Sequence, residues 1–329
     1  MLYRKLGKSG IKVSEIGFGA WQIGGGFGKQ DDAEAIACIH RAIDLGVNFI
    51  DTAAVYGDGH SEKLIGRALA GPTRRAGIAI ASKIPPKTQR QATDKDPINQ
   101  VFPADWIVEV TERSLANLKI DCLDLQQLHS WTPAFLRQTQ WLDAFQKLKK
   151  QGKIKSFGVS ANDWDPYGAV ELTQSGLIDS VQVIYNIFEQ RPAERLLSAA
   201  IEAHVGIIAR VPFEEGLLTG NFGPDVKMDA TDWRSNWLTP QRRREAAGRV
   251  EALKQFLKPD RPTLATLALK FCLSHPAVST VIPGMRRIAQ VDSNCAASDG
   301  NLLLTEERKA LEKHQFVHGW PYPWAVKQP

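Results

Sequence analysis

The chain has 329 residues, 43% of them hydrophobic, and 41 Lys and Arg against 36 Asp and Glu give a net charge of +5. That apolar content excludes a disordered chain. The scatter of the basic residues, run together only at Arg242-Arg243-Arg244, excludes a nucleic-acid-reading face.

No apolar run reaches membrane-spanning length, and the start, MLYRKLGKSG, lacks the apolar core of a secretory signal. The cysteines Cys38, Cys122, Cys272 and Cys295 form no CxxC pair and lie in apolar segments, which predicts buried free thiols in a soluble cytoplasmic protein. The oligomeric state is not readable from these features.

In chain order, LYRKLGKSGIKVSEI predicts two short strands around Lys8-Ser9-Gly10, a hairpin that could plug the lower mouth of a barrel. Apolar β-type runs then begin near Glu15, Asn48, Ile78, Cys122, Ile154, Val181, Gly206 and Ser279. They alternate with helical patterns over 31–44, 61–69, 104–118, 138–151, 165–174, 193–203, 263–273 and 288–297. AIACIHRAIDLG shows helical spacing of apolar residues, with Gly46 at the expected stop; DWIVEVTERSLANL repeats the pattern with Asp105 near its start.

Three segments exceed ordinary loops: 84–103, 211–240 with Trp233 and Trp237, and the tail after Cys295. Further helices are expected over 241–257, where the arginine trio reads as a solvated face, and near 305–314. Eight strand–helix pairs predict an α/β chain of one domain over 1–329, a (β/α)8 TIM barrel with an N-terminal β-hairpin and extra C-terminal helices.

Asp51, Tyr56, Lys83 and His129 stand at or just beyond the ends of successive strands, in VNFIDTAAVY, GIAIASK and CLDLQQLH. Each alone is a common cap, packing or strand-end residue. On one rim of a parallel barrel they converge, and a phenol, an ammonium, a carboxylate and an imidazole together suit carbonyl reduction by hydride without a metal. The phenol would protonate the developing alkoxide. An ordinary tyrosine titrates near pH ~10, so the Lys83 cation, held by Asp51, is expected to lower it, while His129 donates a hydrogen bond to the carbonyl oxygen.

These residues carry a family resemblance. GFGAW, NFIDTAAVYGDGHSEKLIGRAL, IASK, DLQQLH, FGVSAND, QVIYN, GLLTG and VIPGM together resemble the aldo-keto reductases over nearly the whole chain. The resemblance implies the barrel, the same four catalytic residues and a nicotinamide cofactor extended across the C-terminal rim. It implies that Ser160 and Gln182, with help from Asn162, hold the carboxamide. Arg210 falls where relatives carry an aromatic residue that stacks on the nicotinamide, and a guanidinium plane can also stack. The loop with Gly216, Leu218, Thr219 and Gly220 would fold over the pyrophosphate.

Adenosine binding falls to VIPGMRRIAQVDSN, with Gly284, Met285, Arg286, Gln290 and Asn294. Arg286 suits a 2′-phosphate, which favours NADP(H) over NAD(H). Trp21 and Trp131, with Trp233 or Trp237, would line the pocket for a small-molecule carbonyl substrate. The reading is an NADPH-dependent reductase of aldehydes and ketones. The alternative is an NADP-binding regulatory protein with little turnover, since relatives of this fold also attach to membrane channels. A barrel glycosidase ranks behind both, because it needs two opposed rim carboxylates and only Asp51 is well placed.

Overall fold

A computed structural model describes residues 1–71 and 75–320. The N-terminal strands β1 (Tyr3–Lys5) and β2 (Lys12–Ser14) pair antiparallel. At their turn Gly7 has φ 53°, and a Cβ there would strike the backbone of His204, Val205 and Gly206. Only glycine lets the hairpin press this closely on the neighbouring chain. The backbone N–H of Lys8 donates to the carbonyl of His204 at 2.7 Å, which ties the hairpin to the start of a barrel strand.

Eight parallel strands follow in sequence order: β3 (Phe18–Gly19), β4 (Phe49–Asp51), β5 (Ala79–Ile84), β6 (Leu123–Trp131), β7 (Ile154–Ala161), β8 (Ser180–Ile184), β9 (Gly206–Arg210) and β10 (Val278–Val281). Parallel bridges Ile16–Val281 and Gly19–Gly284 join the first edge to the last. The fold is a TIM-barrel-like (β/α)8 arrangement with an N-terminal hairpin.

After their strands come α1 (Asp32–Asp44), α2 (His60–Ala68), α3 (Ala104–Leu118), α4 (Gln140–Lys150), α5 (Val170–Gln174) and α6 (Pro192–Glu202). The extra helix α7 (Pro240–Leu253) precedes α8 (Leu264–Leu273); α9 (Ile288–Ala296) and α10 (Thr305–Glu312) end the series. Local chemistry sets several ends. Asp31 caps α1 by accepting from the N–H of Glu34 at 3.0 Å, and Gly46 beyond its last turn has φ 93°. Thr239 and Thr263 cap α7 and α8 in the same way.

Alternation along the strands divides the barrel interior into layers. Phe49, Ala81 and Leu125 pack with Ile208 and Ile282 into a small inner core that Leu6 and Val13 of the hairpin complete from below. Two residues further along β4, β5 and β6 the same inward row becomes Asp51, Lys83 and Gln127. The larger core lies outside the barrel, between strands and helices. Among the described residues no helix is long and apolar enough to cross a membrane.

Two local expectations need correction, and one long segment proves to be structured. Cys122 is half-buried, unlike Cys38, Cys272 and Cys295, although all four thiols are free. Arg243 is buried rather than solvated, since its Nη1 donates to the carbonyl of Val226 at 2.7 Å and draws the 211–240 segment against α7. Residues 84–103 carry a short helix, Ile98–Val101, with Ala92, Ile98, Val101 and Phe102 buried beneath an Arg90–Asp96 ion pair.

Candidate active site

Register steps the inward residues around the strand ends, two residues at a time from Asp51 to Lys83 and from Lys83 to His129. Asp51 pairs with Ala81, Lys83 with Gln127, His129 with Ser160, and Ser160 with Gln182. Tyr56 lies in the loop beyond β4. The following motif locks that loop down: Ser61 Oγ donates to the carbonyl of Ala20 at 2.9 Å, and Glu62 accepts from Ser82 Oγ at 2.7 Å. Gly24 of the first loop lies directly against the Tyr56 backbone, where a Cβ would collide with it.

Lys83 is fully enclosed and central. Its Nζ donates to Asp51 Oδ1 at 2.5 Å, to the carbonyl of Thr52 at 2.7 Å and to the Tyr56 hydroxyl at 3.3 Å. The His129 ring stands edge-on to Tyr56, with centroids 6.1 Å apart. Burial opposes the Lys83 charge, but Asp51 and Tyr56 outweigh it and hold the ammonium above its ordinary range. Burial, reinforced by the Lys83 and Arg210 cations, holds His129 well below 6.5, so its ring is neutral at pH 7.

Tyr56 departs from the expected acidification. Burial raises its pKa above 10 despite the opposing pull of Lys83. The ammonium is already bonded to Asp51, and that carboxylate works against a phenolate.

The expected cofactor residues fall into distinct groups. Ser160 Oγ is fully buried and has no hydrogen-bond partner among the described residues. The Gln182 amide donates to Asp51 Oδ2 at 2.8 Å, and Gln127 reaches the same oxygen at 3.4 Å. Asn162 is taken up by Ser130 Oγ at 2.5 Å and the carbonyl of Ala92 at 3.2 Å. Arg210 donates to Asp163 Oδ1 at 2.6 Å and to the carbonyl of Ala161 at 3.0 Å.

Beyond β9 the chain is contorted: Val211, Glu214, Glu215, Gly216 and Gly220 all have positive φ. Leu218 is buried, and Thr219 Oγ1 bonds the carbonyl of Gly216 at 2.7 Å. Burial and the neighbouring Glu214 raise the Glu215 carboxyl to about 8.

At the last strand Gly284 gives room to the Gln22 amide, which any Cβ would strike. Met285 is buried, and Gln290 Oε1 accepts from the N–H groups of Arg286 and Arg287 at 2.9 and 3.2 Å, capping α9. Asn294 is buried, with its Nδ2 unpartnered among the described residues. The Arg286 guanidinium is turned onto the first loop, bonding Gln30 Oε1 at 2.7 Å, the carbonyl of Lys29 at 2.7 Å and that of Phe27.

Trp21 stacks near-parallel on Tyr56 and on Trp233, at 6.0 and 5.8 Å, and so walls the cleft. Trp131 does not line it. The β6–β7 register shifts between His129 and Trp131, which turns Trp131 into the outer core against Phe135 and Trp141, with 1% of its surface exposed. The sequence reading had not singled out Gln127, Asp163 or Glu215. For Gln127 the signal was present, as the residue two before His129 on one inward row.

A barrel whose rim gathers an Asp, a Tyr, a Lys and a His defines an oxidoreductase of the nicotinamide-using barrel class. The aldo/keto reductase family model matches residues 15–315, and the chain belongs to that family. It is 30% identical to the uncharacterized oxidoreductase YqkF of Bacillus subtilis, over 95% of this chain and 96% of that protein. It is also 30% identical to a probable voltage-gated potassium channel subunit beta of Arabidopsis thaliana, over 93% of each chain. Among solved structures it resembles the holo form of aldo-keto reductase AKR11C1 from Bacillus halodurans, with a TM-score of 0.74, 28% identity and 97% of each chain covered.

Proposed function

We propose that the chain is a cytoplasmic NADP(H)-dependent reductase of aldehydes and ketones, with Tyr56 as proton donor and alcohol oxidation as the reverse reaction. The observation that carries this reading is the enclosed Lys83 ammonium, bonded at once to Asp51 and to the Tyr56 hydroxyl. The cofactor, when bound, supplies the hydride.

Its carboxamide fits this rim: Ser160 Oγ is a buried hydroxyl lacking a partner, next to the Gln182 amide. Tyr56 keeps its proton across neutral pH and yields it to the alkoxide, which is far the stronger base. Lys83 then stabilises the phenolate left behind. Neutral His129 carries one ring N–H, which donates to the substrate oxygen and orients it. Trp21, stacked on both Tyr56 and Trp233, would present a flat apolar face to a bound substrate and limit water.

The preference for NADP(H) rests on Arg286 at the entrance to α9. Arg286 would exchange the carbonyls of the first loop for a 2′-phosphate. Absorbance loss from NADPH with a panel of aldehydes, ketones and sugars, and NADH as control, tests the reading. Cofactor-dependent turnover is expected; none with any carbonyl compound would overturn it. The likeness to a channel beta subunit supports a second reading, a regulatory protein that binds cofactor with negligible turnover, and the same assay separates the two.

A further inference from the structure

Successive residues of β5 face opposite ways: Ser82 points outward to α2 and Lys83 inward to Asp51. The ladder that joins β4 to β5 ends at Asp51–Ala81, before either of them. Beyond it the β4 chain turns into the loop that carries Tyr56, so strand pairing does not by itself set that loop against Lys83. Of the three bonds that Lys83 makes, the one to the Tyr56 hydroxyl is the longest, 3.3 Å against 2.5 and 2.7 Å. A drift of a few tenths of an ångström would break it first.

The first turn of α2 supplies what the ladder lacks. Ser61 and Glu62 are both fully buried there. The Ser61 N–H donates to the carbonyl of Tyr56 at 3.2 Å. Its hydroxyl gives its one hydrogen to the carbonyl of Ala20, so in the 2.9 Å bond between the Ser61 and Thr52 hydroxyls the donor is Thr52. The carbonyl of the same Thr52 receives Lys83 Nζ.

Glu62 reaches the outer face of β5. Its Oε1 accepts from Ser82 Oγ at 2.7 Å and its Oε2 from Asn117 Nδ2 of α3 at 2.9 Å. Both donors are neutral. Enclosing a carboxyl group among neutral partners costs more than apolar packing of the same volume. What it gives in return is two acceptor oxygens on one side chain, which tie α2 to β5 and to α3 together.

We propose that Glu62, with Ser61 beside it, is a positioning residue for proton transfer. It ties the helix that follows the Tyr56 loop to the back of β5, and so holds the Tyr56 hydroxyl within reach of the Lys83 ammonium. Glu62 acts through the strand and loop it holds, not on the reacting atoms. This rests on the reductase reading above.

Ser82→Ala removes the donor that meets Glu62 and leaves every group on the inner face in place. With rates taken per NADPH-binding site, kcat for reduction should fall roughly tenfold, about one hydrogen bond expressed in the barrier, while KM and the Kd for NADPH stay within about twofold. The solvent deuterium isotope effect on kcat should rise as proton transfer slows. The chain has five tyrosines, so the ring-carbon NMR signal of Tyr56 can be assigned through Tyr56→Phe, and it should move in Ser82→Ala without any substrate. Ser82→Thr, which keeps the hydroxyl, should restore rate and signal. Ser82→Cys, a weak donor of similar size, stands in with the same expectations if Ser82→Ala does not fold.

A folded Ser82→Ala protein with unchanged kcat, isotope effect and Tyr56 signal would overturn the inference while leaving the reductase reading intact. So would a Ser82→Thr protein that falls as far as Ser82→Ala. A wild-type protein without turnover would sink the reductase reading, and the Tyr56 signal alone would then decide whether Glu62 holds that loop.

Discussion

The Gln182 amide reaches across the barrel mouth to Oδ2 of Asp51 at 2.8 Å, on the oxygen opposite the one Lys83 occupies. Its NH2 group has two hydrogens, so one can hold Asp51 while the other meets a cofactor carboxamide. Gln182→Leu removes both. A lost hydrogen bond is worth about 1 kcal/mol, so NADPH affinity should fall several-fold, with a separate drop in kcat as Asp51 loosens. Fluorescence titration and steady-state rates check this; unchanged values for both would remove Gln182 from either task.

Tyr56→Phe keeps the ring against Trp21 and deletes only the hydroxyl. General acid catalysis contributes about 10²–10⁴-fold, so carbonyl reduction should fall by at least ~100-fold on that principle while NADPH binding stays within about threefold. Wild-type-like turnover would assign proton donation to another group.

The pH dependence follows from two shifts. Reduction needs Tyr56 protonated, and its pKa lies above 10; it needs His129 neutral, and its pKa lies well below 6.5. Neither group titrates between these ordinary values, so kcat/KM for reduction should be flat from about 6.5 to about 10 and decline only at the extremes. An acid limb centred near 6.5 would mean that His129 is solvated.

Glu215 links pH to stability. Its carboxyl is raised from 4.5 to about 8 in the folded chain. Above 4.5 the unfolded chain releases this proton while the folded chain keeps it, so stability falls as pH rises through that window and levels off beyond it. Glu215→Gln should therefore raise the melting temperature at pH 9 and change it little at pH 4. At about 1.4 kcal/mol per unit, the gain at high pH is of the order of a few kcal/mol. Equal effects at the two pH values would contradict a buried, protonated carboxyl.

Arg286→Ala should weaken NADPH much more than NADH if the guanidinium meets a 2′-phosphate. Because Arg286 also ties down residues 27–30, release of both cofactors should quicken in stopped-flow displacement. Equal losses of affinity for both would leave Arg286 as a loop clamp alone.

The barrel was legible because eight apolar runs alternate with helical periods, and the tetrad because its members end or closely follow successive runs. What escaped depends on contacts between distant segments. Arg286 finds carbonyls more than 250 residues earlier in the chain. Asp163 meets Arg210 from 47 residues away, across two strand ends. Trp131 shares the alternation of His129 on paper, but a register shift between them reverses its side. The Tyr56 shift was misjudged because burial, invisible in a linear pattern, outweighs the nearby ammonium.

The hairpin has one more consequence. With Leu6 and Val13 filling the floor beneath Asp51 and Lys83, water cannot approach that charged layer from below. The buried Lys83–Asp51 pair is therefore open to solvent screening only from the mouth side, where an incoming oxygen would acquire its negative charge.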